Sequence, residues 1–179
     1  MITGGLTCGL ALLLTASCGG SGLDADGPFG GSGPNTGRIC IPARPGGVAY
    51  DGFENFPNRG GPATITKVRL AHARHLRLVA AWVILTPRPG VGVGGGGGYP
   101  TASSVARYAP GLRWSTRQAI PGAVVRHTHG QQSINLVIVA KPSGKAGTST
   151  AVDVYYESAG RRYLLHYPYG FDVKVARSC

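Results

Sequence analysis

The stretch AVDVYYESAGRRYLLHY, residues 151–167, decides the fold class. Val152, Val154 and Tyr156 alternate with residues that face the other way, and this period of two is typical of a β-strand with one buried face. Ser158–Gly160 favours a tight turn between the two halves of the stretch. The halves are therefore predicted to pair as a β-hairpin.

The same pattern recurs outward from the hairpin. Further strands are predicted at Phe171–Val175, Ile134–Ala140, Leu76–Leu85 and Thr64–Leu70. In the last of these, the spacing of three between Ile65 and Val68 predicts a β-bulge near Thr66. In Leu76–Leu85, alternation predicts that Leu76, Leu78, Ala80, Trp82 and Ile84 share one face and that Trp82 fills the core.

Seven or eight short strands, spread over about 140 residues with turn signals between them, indicate an all-β fold. We predict a single antiparallel β-sandwich at 39–179. No stretch predicts an amphipathic helix, because Pro and Gly interrupt the candidates. The glycine-rich segment 90–98 lacks the GK[ST] ending of a phosphate-binding loop, and we interpret it as a floppy surface loop.

Asn55–Val68, NFPNRGGPATITKV, resembles the N-x-G-x-x-P-x-x-I-x-x-V signature of bacterial immunoglobulin-like domains of the Hydin (ASH) type. From Ile120-Pro121-Gly122 to Tyr156 the chain is similar to that family again, in its order of P-G turn, strand, proline, glycine loop and strand. The resemblance implies an immunoglobulin-like sandwich that serves in adhesion, spacing or docking without catalysis. It implies no site residues.

The N-terminus carries an apolar run, Leu6–Leu14, and then Leu14–Cys18 (LTASC), which resembles a bacterial lipobox. The run is shorter than the roughly 20 apolar residues that span a bilayer and fits the apolar region of an export signal, although no Lys or Arg precedes it. We predict a lipoprotein signal peptide at 1–17 and lipidation of Cys18. A plain cleaved signal and a buried N-terminal strand or helix are the alternatives.

These features place the protein at the outer face of the cytoplasmic membrane, and the chain resembles small lipoproteins of high-GC Gram-positive bacteria. Residues 18–38 are predicted to be the lipidated cysteine and a flexible tether, because Gly22–Gly37 is rich in Gly, Ser, Pro and Asp. Cys40 and Cys179 flank the folded part, so in an exported protein they are predicted to form a disulfide. Two free thiols are the alternative.

The formal net charge is +11, and the basic residues are scattered along the chain. A basic surface is attracted to an anionic leaflet or wall polymer. It can also be a solvated surface without a partner. Nucleic acid is the other usual partner of such charge, but export argues against it, and we predict none.

Two groups of side chains are candidates for binding. His127 and His129 have a spacing that can chelate zinc or copper(II). Trp114 lies near Arg113 and Arg117 in sequence, and together with Tyr155 they have the make-up of a weak binding patch. Polar histidines in loops and rings that pack in the core are the plainer interpretations.

Carboxylates are scarce, no G-x-S-x-G motif is present, and no cofactor is predicted. We therefore expect a non-enzymatic, lipid-anchored binding or structural module that engages an anionic wall polymer or a surface protein. The first alternative is an extracytoplasmic metal-binding lipoprotein that uses His127 and His129. The second is an enzyme acting on a wall polymer.

Overall fold

The computed structural model describes residues 23, 24, 26–30, 36–87, 91–129 and 132–179, without the side chains of residues 53 and 54. The predicted signal peptide and Cys18 lie outside these residues. In the described part there are twelve strands, one α-helix, α1 (Ala102–Tyr108), and one 3-10 helix (Trp114–Thr116). The strands are β1 (Gly37–Ala43), β2 (Ala49–Phe56), β3 (Ala63–Ala71), β4 (Leu76–Thr86), β5 (Gly96–Gly97), β6 (Gln118–Ala119), β7 (Ala123–Val125), β8 (Ser133–Pro142), β9 (Ala146–Ser149), β10 (Ala151–Ser158), β11 (Arg161–Tyr167) and β12 (Tyr169–Val175).

The architecture is an all-β sandwich, as the alternating strands predict. The sheets have the orders β5-β2-β8-β4-β6, β11-β10-β3-β7 and β1-β12-β9. Side chains from all three sheets share one buried cluster, which includes Ile65, Leu136, Val154 and Phe171. The strand pairs are antiparallel except for β1 and β12, which run parallel. There are more strands than predicted because short pieces such as β5 and β6 carry no alternation that a sequence pattern can detect.

The hairpin and the bulge are both confirmed. β10 pairs with β11 across a turn in which Ala159 has φ of 49° and Gly160 has φ of 74°, and such left-handed conformations are the reason for glycine in a two-residue turn. In the β3–β10 ladder Tyr155 pairs with Lys67 and Tyr156 with Ile65. Thr66 is therefore the extra, bulged residue.

The predicted shared face of β4 is wrong, because a second bulge interrupts the strand. Leu78 pairs with Ala140 and Ala80 with Val139, so Val79 is extra and the alternation changes face there. Ala81 and Val83 consequently enter the main core, whereas Trp82 and Ile84 join a second cluster on the outer face of the five-stranded sheet. Trp82 is half-buried in this second cluster and not in the sandwich core.

The predicted flexible tether needs correction in its described part. We call the described residues of 23–30 the strap. Asp24 forms a parallel bridge with Tyr163 of β11, and Phe29 is 1% exposed within the main core. The Phe29 ring stacks on Tyr156 at a centroid distance of 4.0 Å and lies 4.9 Å from Phe56. β1 begins at Gly37, so the folded unit starts before the predicted boundary at residue 39.

The glycine-rich segment is not a floppy loop over its described residues, 91–98. Val93 is fully buried. Its N–H donates to the carbonyl oxygen of Gly52 at 3.0 Å and to Oδ1 of Asn135 at 2.9 Å. Asn135 also donates through Nδ2 to Gly52 at 2.6 Å. Side-chain hydrogen bonds from β8 thus fix the segment against the sheet.

Candidate functional site

The predicted disulfide joins Cys40 of β1 to Cys179, which follows β12. The Cα atoms are 5.9 Å apart, and the two residues are 139 positions apart in sequence. The bond holds the two ends of the sandwich domain together, beside the parallel β1–β12 pair.

One end of the sandwich gathers basic side chains from four separate segments, and we call it the cationic end. The segments are 42–48, 72–77, 141–146 and 174–177, and they contain no Asp or Glu. The backbone connects them: Ser143 donates to the carbonyl of His75 at 2.9 Å, and Val175 donates to that of Lys145 at 2.8 Å. The basic residues of this end are Arg44, Arg74, Arg77, Lys141, Lys145, Lys174 and Arg177.

The cationic end contains a like-charge pair. Arg77 of β4 and Lys141 of β8 are direct Cα partners, so their side chains lie on the same face of the sheet. Like charges directly opposite each other in a sheet are destabilising unless an anion compensates them. The four segments of the cationic end contain no Asp or Glu side chain that could compensate this pair.

A cleft of about 910 Å³ opens at the same end. Its walls are mainly apolar, from Pro42, Ala43, Val48 and Val175, and two guanidinium groups line it. These belong to Arg44 and Arg177, which are both exposed. Arginine binds phosphate and carboxylate groups through its planar fork of donors, so the cleft suits an anionic ligand.

Elsewhere, three of the described carboxylates contact basic side chains. Asp172 binds Arg38 at 2.6 Å, Asp24 binds Arg161 at 2.6 Å, and Asp153 lies 2.7 Å from the ring of His166. These contacts lie outside the four segments of the cationic end. The basic excess there is therefore not neutralised by them.

The predicted aromatic patch is only partly brought together. The guanidinium of Arg117 lies 4.7 Å from the Trp114 ring and 5.9 Å from that of Trp82. Trp114 is only 8% exposed, so its ring is largely used in packing. Arg113 is exposed beside it. Tyr155 faces outward on β10 of the four-stranded sheet, where Lys67 lies 5.8 Å from its ring, and it does not join the group.

The two predicted metal-binding histidines do come together. The rings of His127 and His129 have centroids 4.7 Å apart and are nearly perpendicular. Nδ1 of His127 lies 3.2 Å from the carbonyl oxygen of Gly60. Within the described residues, no cluster of three or more His, Cys, Asp or Glu side chains could hold a metal ion.

Sequence reasoning missed the cationic end because its members are spread from residue 44 to residue 177. One signal was present: no Asp or Glu occurs between Glu54 and Asp153. Two of the four basic segments, 72–77 and 141–146, lie within that interval. Folding brings them to the same end as 42–48 and 174–177.

In the described part of the chain, no helix has the length and apolar character needed to cross a membrane. Comparison with protein-family models, with curated proteins and with solved structures found no match. Function is therefore inferred from the sandwich architecture and its side-chain geometry, and the immunoglobulin-like resemblance stays a prediction.

Proposed function

We propose that this chain is an exported, lipid-anchored, non-catalytic binding module at the outer face of the cytoplasmic membrane, and that its cationic end binds an anionic wall polymer. The observation that carries the proposal is the group of seven basic residues in four segments without any Asp or Glu, two of which, Arg44 and Arg177, line a cleft. A polyanion repeats its charge along its length, so it can engage several of these side chains at once.

The Cys40–Cys179 disulfide supports the exported location. Disulfides persist in oxidising compartments and are rare in the reducing cytosol. The resemblance of Leu14–Cys18 to a lipobox supports the same location. Lipid on Cys18 would attach the module to the membrane through its N-terminal side.

The two ends of the sandwich suit such an arrangement. The strap lies at the end of β3 where Ala63 pairs with Val125, and the cationic end begins beyond Ala71 at the other end of this strand. Nine residues at about 3.3 Å each separate the ends by roughly 30 Å. A chain anchored next to the strap can therefore present its cationic end away from the membrane.

The test is binding of inorganic polyphosphate by the full chain carrying Cys18→Ser, with neutral dextran as the comparison polymer. The variant Arg77→Gln/Lys141→Gln removes the opposed pair. We expect about 30-fold weaker binding, because each basic residue near an anionic surface contributes roughly 1 kcal/mol. The matched control Arg107→Gln/Arg162→Gln removes the same charge elsewhere and should change binding less than about twofold.

Equal losses in the two variants would show that net charge alone attracts the polymer and would refute a localised site. No binding of polyphosphate at low salt would refute polymer recognition and favour a protein partner instead.

The His127–His129 pair keeps a metal-binding function as a second candidate, on the single observation that the rings are 4.7 Å apart. A titration with zinc or copper(II) tests it. One ion bound per chain, lost in His129→Gln, would support this candidate, and binding without stoichiometry would reject it.

A further inference from the structure

A second cleft opens at the strap end of the sandwich, between β4 and β7. Its volume is about 420 Å³, which lies in the range of sites for small ligands. Val83 and Ile134 of the main core form its inner wall, and each is at most 2% exposed. The cleft thus leads from the surface to the hydrophobic interior between the two sheets.

Two exposed apolar side chains flank this cleft. Leu85 is 51% exposed and Val124 is 44% exposed, and both line the cleft. Of the five large hydrophobic residues that are exposed in the described part of the chain, these two and Leu23 of the strap lie at the same end. Exposed apolar groups that gather in this way are typical of an interaction site.

The mouth of the cleft is basic. Arg126 and His127 line it, and both are exposed. Through the contact between His127 and Gly60, the cleft adjoins Arg59, whose N–H donates to the carbonyl of Pro28 at 2.8 Å. An apolar interior with the Arg126 guanidinium at its entrance is complementary to an anionic amphiphile, whose chain enters while its head remains at the rim.

The strap brings this end close to the predicted anchor. Asp24 is held on β11 by two backbone hydrogen bonds, to Arg162 at 3.1 Å and from Leu164 at 3.0 Å. From Cys18 to Asp24 there are six residue steps, which span at most about 22 Å. A free chain up to Gly37 would instead reach roughly 68 Å by the same estimate. The docked strap therefore keeps the cleft near the lipid surface.

We propose that the β4–β7 cleft receives one acyl chain of an anionic lipid from the leaflet that holds the anchor, with Leu85 and Val124 in the apolar layer and Arg126 at the headgroup. This inference rests on the proposed function for the position of the membrane, whereas the ligand chemistry rests on the cleft itself. The cationic end lies at the opposite end of the sandwich and takes no part.

Calorimetry with dodecyl phosphate, below its micelle concentration, tests the cleft in the full chain carrying Cys18→Ser. We expect one molecule bound per chain and at least tenfold weaker binding in Leu85→Ser/Val124→Ser, because both apolar flanks are lost. Arg126→Gln should weaken binding about fivefold. Tyr99→Ser and Arg107→Gln are the matched controls, because both residues are exposed and neither lines the cleft. These variants should bind dodecyl phosphate as tightly as the parent chain.

Methyl phosphate carries the same head without the chain. If it binds as tightly as dodecyl phosphate, or if the Leu85→Ser/Val124→Ser variant binds normally, the acyl-chain cleft is refuted. These results do not depend on lipidation of Cys18, so the cleft and the proposed function can fail separately.

Flotation with phosphatidylcholine vesicles that contain phosphatidylglycerol identifies the source of the chain. In high salt, where exposed charges are screened, Leu85→Ser/Val124→Ser should float at least tenfold less than Tyr99→Ser. Dodecyl phosphate binding without this difference in flotation would show that the cleft takes free amphiphiles and would overturn the assignment to the leaflet.

Discussion

Replacing Phe29 by Ala tests whether the strap is part of the folded unit. The ring is 1% exposed and packs between Tyr156 at 4.0 Å and Phe56 at 4.9 Å. Truncation of a buried phenylalanine costs 3–5 kcal/mol in typical cores. We expect the free energy of unfolding to fall by about 3 kcal/mol, at the lower end of this range, because the strap can detach while the sheets stay packed together.

The assay is urea unfolding of the full chain followed by tryptophan fluorescence. A loss of about 3 kcal/mol should also lower the midpoint of thermal unfolding by roughly 6–12 °C for a domain of this size. Leu23→Ala is the matched control, because Leu23 belongs to the strap but is 44% exposed, and it should cost less than about 0.5 kcal/mol.

Hydrogen exchange provides a second readout. The Leu164 amide donates to Asp24 of the strap, so it should exchange faster in Phe29→Ala than in the parent chain. If Phe29→Ala unfolds at the same urea concentration as the parent, and the Leu164 amide exchanges at the same rate, the strap is a loose tether and the reasoning is wrong.

Three further predictions concern the rest of the fold. Reduction of Cys40–Cys179, which closes a loop of 139 residues, should lower the free energy of unfolding by about 5 kcal/mol; identical urea curves with and without reductant would contradict this. Asn135→Ala removes hydrogen bonds to Val93 and Gly52 and should cost about 2 kcal/mol; a cost below about 0.5 kcal/mol would show that these bonds do not hold the glycine-rich segment. Burial raises the pKa of Tyr156 above its ordinary value of 10.0, with a smaller contribution from Tyr163 and opposition from the Phe29 N–H. Because the pKa of Tyr156 is higher in the folded state, its contribution to the free energy of unfolding is complete below pH 10 and is lost as the pH rises through the folded-state pKa. The free energy of unfolding, measured from pH 9 upward, should therefore fall less steeply in Tyr156→Phe than in the parent chain. Identical slopes would contradict the shift.

The central strands could be predicted because each carries its own signal. β10 and β11 alternate cleanly and are joined by Ala159-Gly160, and the spacing of Ile65 and Val68 revealed the bulge at Thr66. The bulge at Val79 was missed because Leu76–Ile84 reads as one uninterrupted alternation. Only the pairing with β8, which no local pattern encodes, shows the change of face.

Features that depend on contacts distant in sequence could not be predicted. Phe29 is a single aromatic residue in a Gly- and Pro-rich stretch, and its burial depends on Tyr156, 127 residues later. Val93 is fixed by Asn135, a polar side chain within a strand that is otherwise apolar. In both cases composition indicated a flexible segment, whereas one buried side chain attaches that segment to the sandwich.

The candidate sites show the same limit. The sequence placed His127 and His129 together correctly because they are neighbours. It grouped Tyr155 with Trp114, although Tyr155 lies on the four-stranded sheet and Trp114 lies in the 3-10 helix. The cationic end combines four short segments, and the sequence of each one alone is typical of an ordinary solvated surface.

The intact mass of the protein purified from its own membrane, with and without reduction before alkylation, tests the lipid anchor and the disulfide together. We expect a chain that begins at Cys18 and carries diacylglycerol, with Cys40 and Cys179 alkylated only after reduction. An unprocessed chain without lipid, whose cysteines alkylate freely, would contradict both the exported location and the anchored module.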